Sequence, residues 1–148
     1  MIKAGKYKIY ILELGSFALD AGVVFGLIPA ALWRKKLQTD PANRIKMALR
    51  AILIVGEDRK ILVDNGAGDN LNPKMEEIYK LDYSEHSLEQ AFGRLGIEYS
   101  EITDVINTHL HFDHCGGNME TRAGHLQPRF PEAKYYVQNE QLEWAQVP

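Results

Sequence analysis

A mixed α/β fold, with one sheet flanked by helices, is predicted by three features of this sequence. Residues 8–14 and 47–63 hold apolar, partly β-branched runs of strand length, the second broken by a tight turn. Residues 88–95 carry a single apolar stripe of helical period. Beyond them, short apolar segments alternate with polar connections. The predicted order is antiparallel strands first, then helix, strand, long loop, strand and helix.

The N-terminus sets Lys3, Lys6 and Lys8 ahead of an apolar run at 9–14, an arrangement that begins like a signal peptide. The run contains Glu13 and is shorter than the 7 to 15 apolar residues such a segment needs, so a strand is expected. Ile9, Tyr10, Ile11, Leu12 and Leu14 are apolar at alternate and intervening positions, which predicts a strand covered on both faces. Residues 17–33 are also apolar, but Asp20, Gly22, Gly26 and Pro29 interrupt them and they fall short of the ~20 residues of a membrane helix. No membrane span is expected.

The strand at 47–55 ends in Ile52, Leu53, Ile54 and Val55. Gly56, Glu57 and Asp58 then turn the chain, and Ile61, Leu62 and Val63 return as the second arm of a hairpin. Ser87 is a candidate N-cap for a helix whose stripe is Leu88, Ala91, Phe92 and Leu95, with Gly96 ending it. Val105 and Ile106 read as a short strand, 107–127 as a polar loop, Tyr135 to Val137 as a strand and 139–146 as the start of a helix. Without repeats or a low-complexity linker, residues 1–148 form one domain or part of one.

Composition narrows the function classes. Seventeen basic against 20 acidic residues leave a net charge of −3, without the basic excess of a phosphate-neutralising protein. No nucleic-acid partner is expected. Cys115 is the only cysteine, so no internal disulfide is possible and a reducing, cytoplasmic setting is expected.

The chemistry concentrates in His109-Leu110-His111-Phe112-Asp113-His114, which holds three of the five histidines. His109 and His111 are two apart, so at an extended strand end both imidazoles project to one side, where they can bind one ion. Leu110 and Phe112 then face the core. Asp113 and His114 follow as the chain turns, and can offer an oxygen and a nitrogen to a second ion. Two alternatives stay open: a solvated polar loop, and a single-metal site built from His109, His111, His114 and water. Cys115 beside His114 suggests a Cys/His nucleophile, but a small packed apolar residue is the favoured reading. Gly116-Gly117 would let the backbone pass close to the site.

This segment and Leu62-Val63-Asp64-Asn65-Gly66-Ala67-Gly68 upstream resemble the metallo-β-lactamase-fold hydrolases. Phe25-Gly26, Pro29 and Leu32-Trp33 further resemble the branch that contains acyl-homoserine lactonases and methyl-parathion-type hydrolases. The resemblance implies an αββα sandwich of two similar halves, with residues 1–148 as the first. It makes His109 and His111 ligands of a first metal, and Asp113 and His114 ligands of a second, with Asp113 counted among the catalytic residues. The ions implied are two divalent metals, zinc foremost, with manganese or iron as alternatives. Asp64 becomes a buried carboxylate behind the ligands, although Asp-Asn-Gly is also a good turn. A nucleotide-binding reading of Gly66-Ala67-Gly68 fails, because position 71 is Leu71 where a glycine is needed.

The activity implied is opening of a lactone or another ester by a metal-bound hydroxide. Thioester hydrolysis and sulfur oxidation use related sites, and a catalytically incomplete binding module is the non-enzyme alternative. Residues 17–33 are expected to form an apolar flap over the metals, against the simpler reading that they fill a core or a dimer interface. The family draws further ligands, two histidines and a bridging aspartate, from its second half. Here no aspartate follows Asp113, and the only later histidine is His125. The sequence is therefore expected to be a first half ending within a helix at 144–148, its activity needing a complementary C-terminal half or a second copy. The remaining partner expected is a small-molecule substrate, with no membrane.

Overall fold

The computed structural model describes residues 1–147. In chain order the first elements are β1 (Ile2–Ala4), β2 (Tyr7–Asp20), α1 (Ala21–Phe25), α2 (Ala30–Trp33), β3 (Arg44–Val55), β4 (Lys60–Val63) and α3 (Pro73–Tyr79). Then come α4 (Leu88–Leu95), β5 (Asp104–Ile106), α5 (Phe112–Cys115), β6 (Met119–Arg122), β7 (His125–Pro128), β8 (Lys134–Tyr136) and α6 (Asn139–Gln146). Six strands form one sheet in the order β1-β2-β3-β4-β5-β8. The first four pair antiparallel, whereas β5 and β8 add in parallel, β5 after α3 and α4, and β8 after α5 and the β6–β7 hairpin. This is the mixed sheet with helices that the sequence predicts.

The hairpin at Gly56 closes as expected, with its N–H on the Arg59 carbonyl at 2.8 Å. Strand β2 is longer than predicted. A bulge between Glu13 and Gly15 shifts its register on β3 by one residue and keeps Leu14 and Phe17 both in the core. Gly15 occupies this bulge at φ 122°, where a Cβ would meet the Tyr83 ring and the Asp82 carbonyl. Strand β3 likewise starts at Arg44, because Ile45 and Met47 continue its inward alternation.

The expectation of a flap at residues 17–33 needs correction on its first part. Phe17, Ala18 and Ala21 are buried, so this stretch belongs to the core. The remainder folds into α1 and α2, where Phe25 and Trp33 stack 4.8 Å apart while Val23, Leu27 and Leu32 face outward.

Helix α4 has the predicted cap: Ser87 Oγ accepts from the Gln90 N–H at 3.1 Å, and Gly96 ends the helix in the left-handed region. Helix α3 has no counterpart in the sequence reading, although Asn72 accepting from Met75 N–H and Pro73 at the first position are readable start signals. The predicted loop at 107–127 is also corrected. It contains α5 and most of a separate hairpin, β6 with β7, whose turn at Ala123-Gly124 takes positive φ at both residues. At the other end α6 stops at Gln146, short of the predicted end, and Pro148 lies outside the described residues.

The two faces of the sheet differ. Leu12, Leu14, Leu49, Leu53, Leu62 and Val105 point inward and pack against Ala91 and Phe92 of α4 and against Ile102 and Phe130. On the opposite face the register aligns Ile11, Ile52, Val63, Ile106 and Tyr136 in one row across five strands. Ile11 is 61% exposed, Ile52 41%, Ile106 38% and Tyr136 45%. Coverage of both faces, as predicted for 8–14 and 52–55, is not found among the described residues. No helix among them is long and apolar enough to cross a membrane.

Candidate metal centre

The candidate site forms where β4 and β5 end side by side, the edge at which open α/β sheets place their ligands. Beyond Val63 the chain makes a sharp turn, with Asp64 at φ 56°, a conformation that Asp adopts more readily than most residues. The Asp64 N–H still reaches the Ile106 carbonyl at 2.9 Å, and the Asn65 N–H reaches the His114 carbonyl at 2.8 Å. Gly66 bridges to Cys115, so the loop after β4 lies directly against α5. The glycines allow this approach: a Cβ on Gly116 would collide with the Ala67 backbone, and one on Gly117 with the Asn65 carbonyl. This matches the close passage expected of Gly116-Gly117.

Four predicted side chains meet at this edge. The rings of His109 and His114 lie 4.0 Å apart and those of His109 and His111 4.6 Å. His114 Nε2 is 3.4 Å from Asp113 Oδ2. The local conformation differs from the prediction, since β5 ends at Ile106 and His109 lies in irregular chain, while His111 caps α5. The rings converge because α5 turns back, not because a strand continues. Phe112 anchors the segment as expected, edge-on to Phe17 and stacked on Tyr79 at 4.2 Å. Leu110 is only half-buried and lies outside the core cluster.

Asp64 lies behind the histidines. It is 8% exposed and accepts at 2.8 Å from each of the Thr108 N–H, the Thr108 hydroxyl and His114 Nδ1. A carboxylate holding the far nitrogen of a histidine in this way orients ligand histidines in metal sites. Burial, reinforced by the His114 and His111 rings, lowers the His109 pKa and favours the neutral imidazole that coordination requires. Burial raises the Cys115 thiol pKa, as suits a packed residue rather than a nucleophile.

The donors suit a divalent ion of the zinc type in chemistry and in one spacing. Two donors at about 2.1 Å from a tetrahedral ion stand about 3.4 Å apart, the separation found between His114 Nε2 and Asp113 Oδ2. Yet among the described residues no three His, Cys, Asp or Glu side chains are arranged to hold an ion together. His125 is exposed on β7, and His86 precedes α4 with its Nδ1 buried and unpaired.

Thr108 heads the histidine segment in the sequence but has no role in the sequence reading, because only the fold brings it to Asp64; Arg129 was missed, for want of any local signal. The buried Arg129 guanidinium reaches the Gly117 carbonyl at 3.1 Å and Asp69 at 2.5 Å, clamping the two loops that flank the site. Tyr83 donates to the Gly68 carbonyl at 2.6 Å, and burial pushes its pKa up to about 12. A cavity of about 620 Å³ opens beside these residues, lined by Leu14, Tyr83, Phe92, Tyr99 and Arg129, and none of the four candidate ligands lines it.

Comparison with known proteins identifies the family. Residues 50–146 match the sequence profile of the metallo-beta-lactamase superfamily. A protein of Dictyostelium discoideum named as a probable tetraspanin, tspE, is 33% identical over 113 residues, 74% of this chain and 45% of its own. A probable metal-dependent hydrolase from Staphylococcus aureus superposes with a TM-score of 0.86 at 28% identity, covering 99% of this chain and 52% of the other. The dizinc quorum-quenching lactonase AidC superposes with a TM-score of 0.73 at 20% identity, covering 99% and 47%, and so shares the fold. The chain thus spans about half the length of these relatives. With the profile match running from the middle of β3 through the histidine cluster to α6, the chain belongs to the metallo-beta-lactamase superfamily.

Proposed function

We propose that the protein is a metal-dependent hydrolase that opens a lactone or another ester, using two divalent ions, zinc foremost. His109 and His111 hold one ion, and Asp113 and His114 the other. The observation that carries this reading is the gathering of four donors at one sheet edge, with His114 braced by the buried Asp64 at 2.8 Å. An ion bound there supplies Lewis acidity, lowering the pKa of a bound water and polarising the substrate carbonyl.

The chain's own groups prepare that chemistry. Asp64 holds His114 Nδ1 and leaves Nε2 facing Asp113. The Phe112 contacts fix α5 against the core, and the loop at Gly66 brings Asp64 beneath it. In this reading the described residues are the first half of a larger cytoplasmic domain, which the other half or a second copy completes. The span of about half the relatives' length and the exposed apolar row support that reading.

The test is His111→Ala and Asp113→Ala in the full-length protein, read by metal content and by turnover of lactone and ester substrates. Each variant is expected to lose metal and at least about 100-fold in turnover. Unchanged metal content and activity in both would overturn the hydrolase reading and favour a binding module.

A further inference from the structure

The Thr108 hydroxyl stands between Asp64 and His109. Its oxygen lies 2.8 Å from Asp64 Oδ2, 3.1 Å from Asp64 Oδ1 and 3.1 Å from His109 Nδ1. A hydroxyl has one proton to donate, and an ionised carboxylate can only accept. The Thr108 proton therefore goes to Asp64, and the Thr108 oxygen can meet His109 only as an acceptor. That polarity requires the proton of neutral His109 to sit on Nδ1, which leaves the lone pair on Nε2.

His114 obeys the same rule by direct contact. Its Nδ1 is 2.8 Å from Asp64 Oδ2, so its proton also lies on Nδ1 and its Nε2 lone pair faces Asp113. One buried carboxylate thus sets the tautomer of two histidines, reaching the second through a hydroxyl.

We propose that Thr108 is a positioning residue that relays Asp64 to His109, fixing the Nδ1–H tautomer and presenting Nε2 for coordination. The proposal rests on the metallo-hydrolase reading, because it assigns His109 to a metal. It adds that the two ligand pairs share one orienting carboxylate, so loosening His109 disturbs metal binding without removing any ligand. Thr108 is itself exposed, so valine, which matches its shape without the hydroxyl, leaves the core untouched.

The experiment compares wild type, T108V and T108S in the full-length protein, with zinc alone as the probe. Long-range ¹⁵N–¹H spectra of the metal-free proteins report the His109 tautomer, and chelator competition reports zinc affinity. Wild type and T108S are expected to show His109 protonated on Nδ1, whereas T108V shifts toward the Nε2–H form. T108V is expected to bind zinc about 10 to 100-fold more weakly, with T108S within about threefold of wild type. If T108V keeps the wild-type tautomer and affinity, or T108S loses as much as T108V, the relay is wrong while the metal site stands. Wild-type protein that takes up no zinc overturns the metal reading, and the relay with it.

Discussion

Asp64 and the glycines opposite it show how much of the site depends on single residues. The motif at 109–114 supplies the candidate donors, but their placement depends on backbone contact between Gly66-Ala67-Gly68 and Cys115-Gly116-Gly117. A side chain at Gly116 would meet the Ala67 carbonyl, a backbone group that cannot swing aside. Gly116→Ala is therefore expected to cost about 1 to 3 kcal/mol in stability, as overpacking does. It should also weaken metal binding by pushing α5 away from Asp64. Urea denaturation and zinc titration of the variant check both, and wild-type values in each would refute the packing argument.

Among the elements, α4 was the most legible. Its stripe, its Ser87 cap and its Gly96 stop are all local signals, and each recurs in the structure. Ser87→Ala is expected to remove about 1 kcal/mol by freeing the Gln90 N–H, measured as a shift in the denaturation midpoint. Because α4 packs against the face of the sheet and supplies no candidate ligand, metal affinity should hardly change. Other elements were less readable for physical reasons. The bulge at Glu13/Gly15 that lengthens β2 is a pairing property, invisible in the period of one strand. The hairpin of β6 and β7 carries one large apolar residue on each strand, Met119 and Leu126, too few to show the apolar alternation that marks a strand.

At the scale of the whole molecule, the row Ile11, Ile52, Val63, Ile106 and Tyr136 is the feature that most needs a partner. Its rim is polar: Arg50 pairs with Glu13 at 2.8 Å, and Arg59 pairs with Asp104. The Arg59 hydrogen bonds lower the Asp104 pKa, so this pair's stabilisation is present above the ordinary carboxylate value and fades as pH falls through the lower folded one. If the row is covered in the full-length protein, Ile52→Ala should cost about 2 to 5 kcal/mol, the range for a buried aliphatic truncation. An uncovered face predicts a change within about 0.5 kcal/mol. Chemical denaturation of that variant, with sizing to count copies, distinguishes the two.

Residue order alone carried the family resemblance, the candidate donors at 109–114 after a short strand, and the mixed sheet with flanking helices. Those follow from local facts, namely residue type, spacing and hydrophobic period. Only the tertiary structure decided that Asp64 reaches His114 and Thr108 across more than 40 positions, that Arg129 clamps the loops around the site, and that Phe17, Ala18 and Ala21 are core. Contacts of that kind depend on strand order and crossover geometry, which no short segment encodes alone.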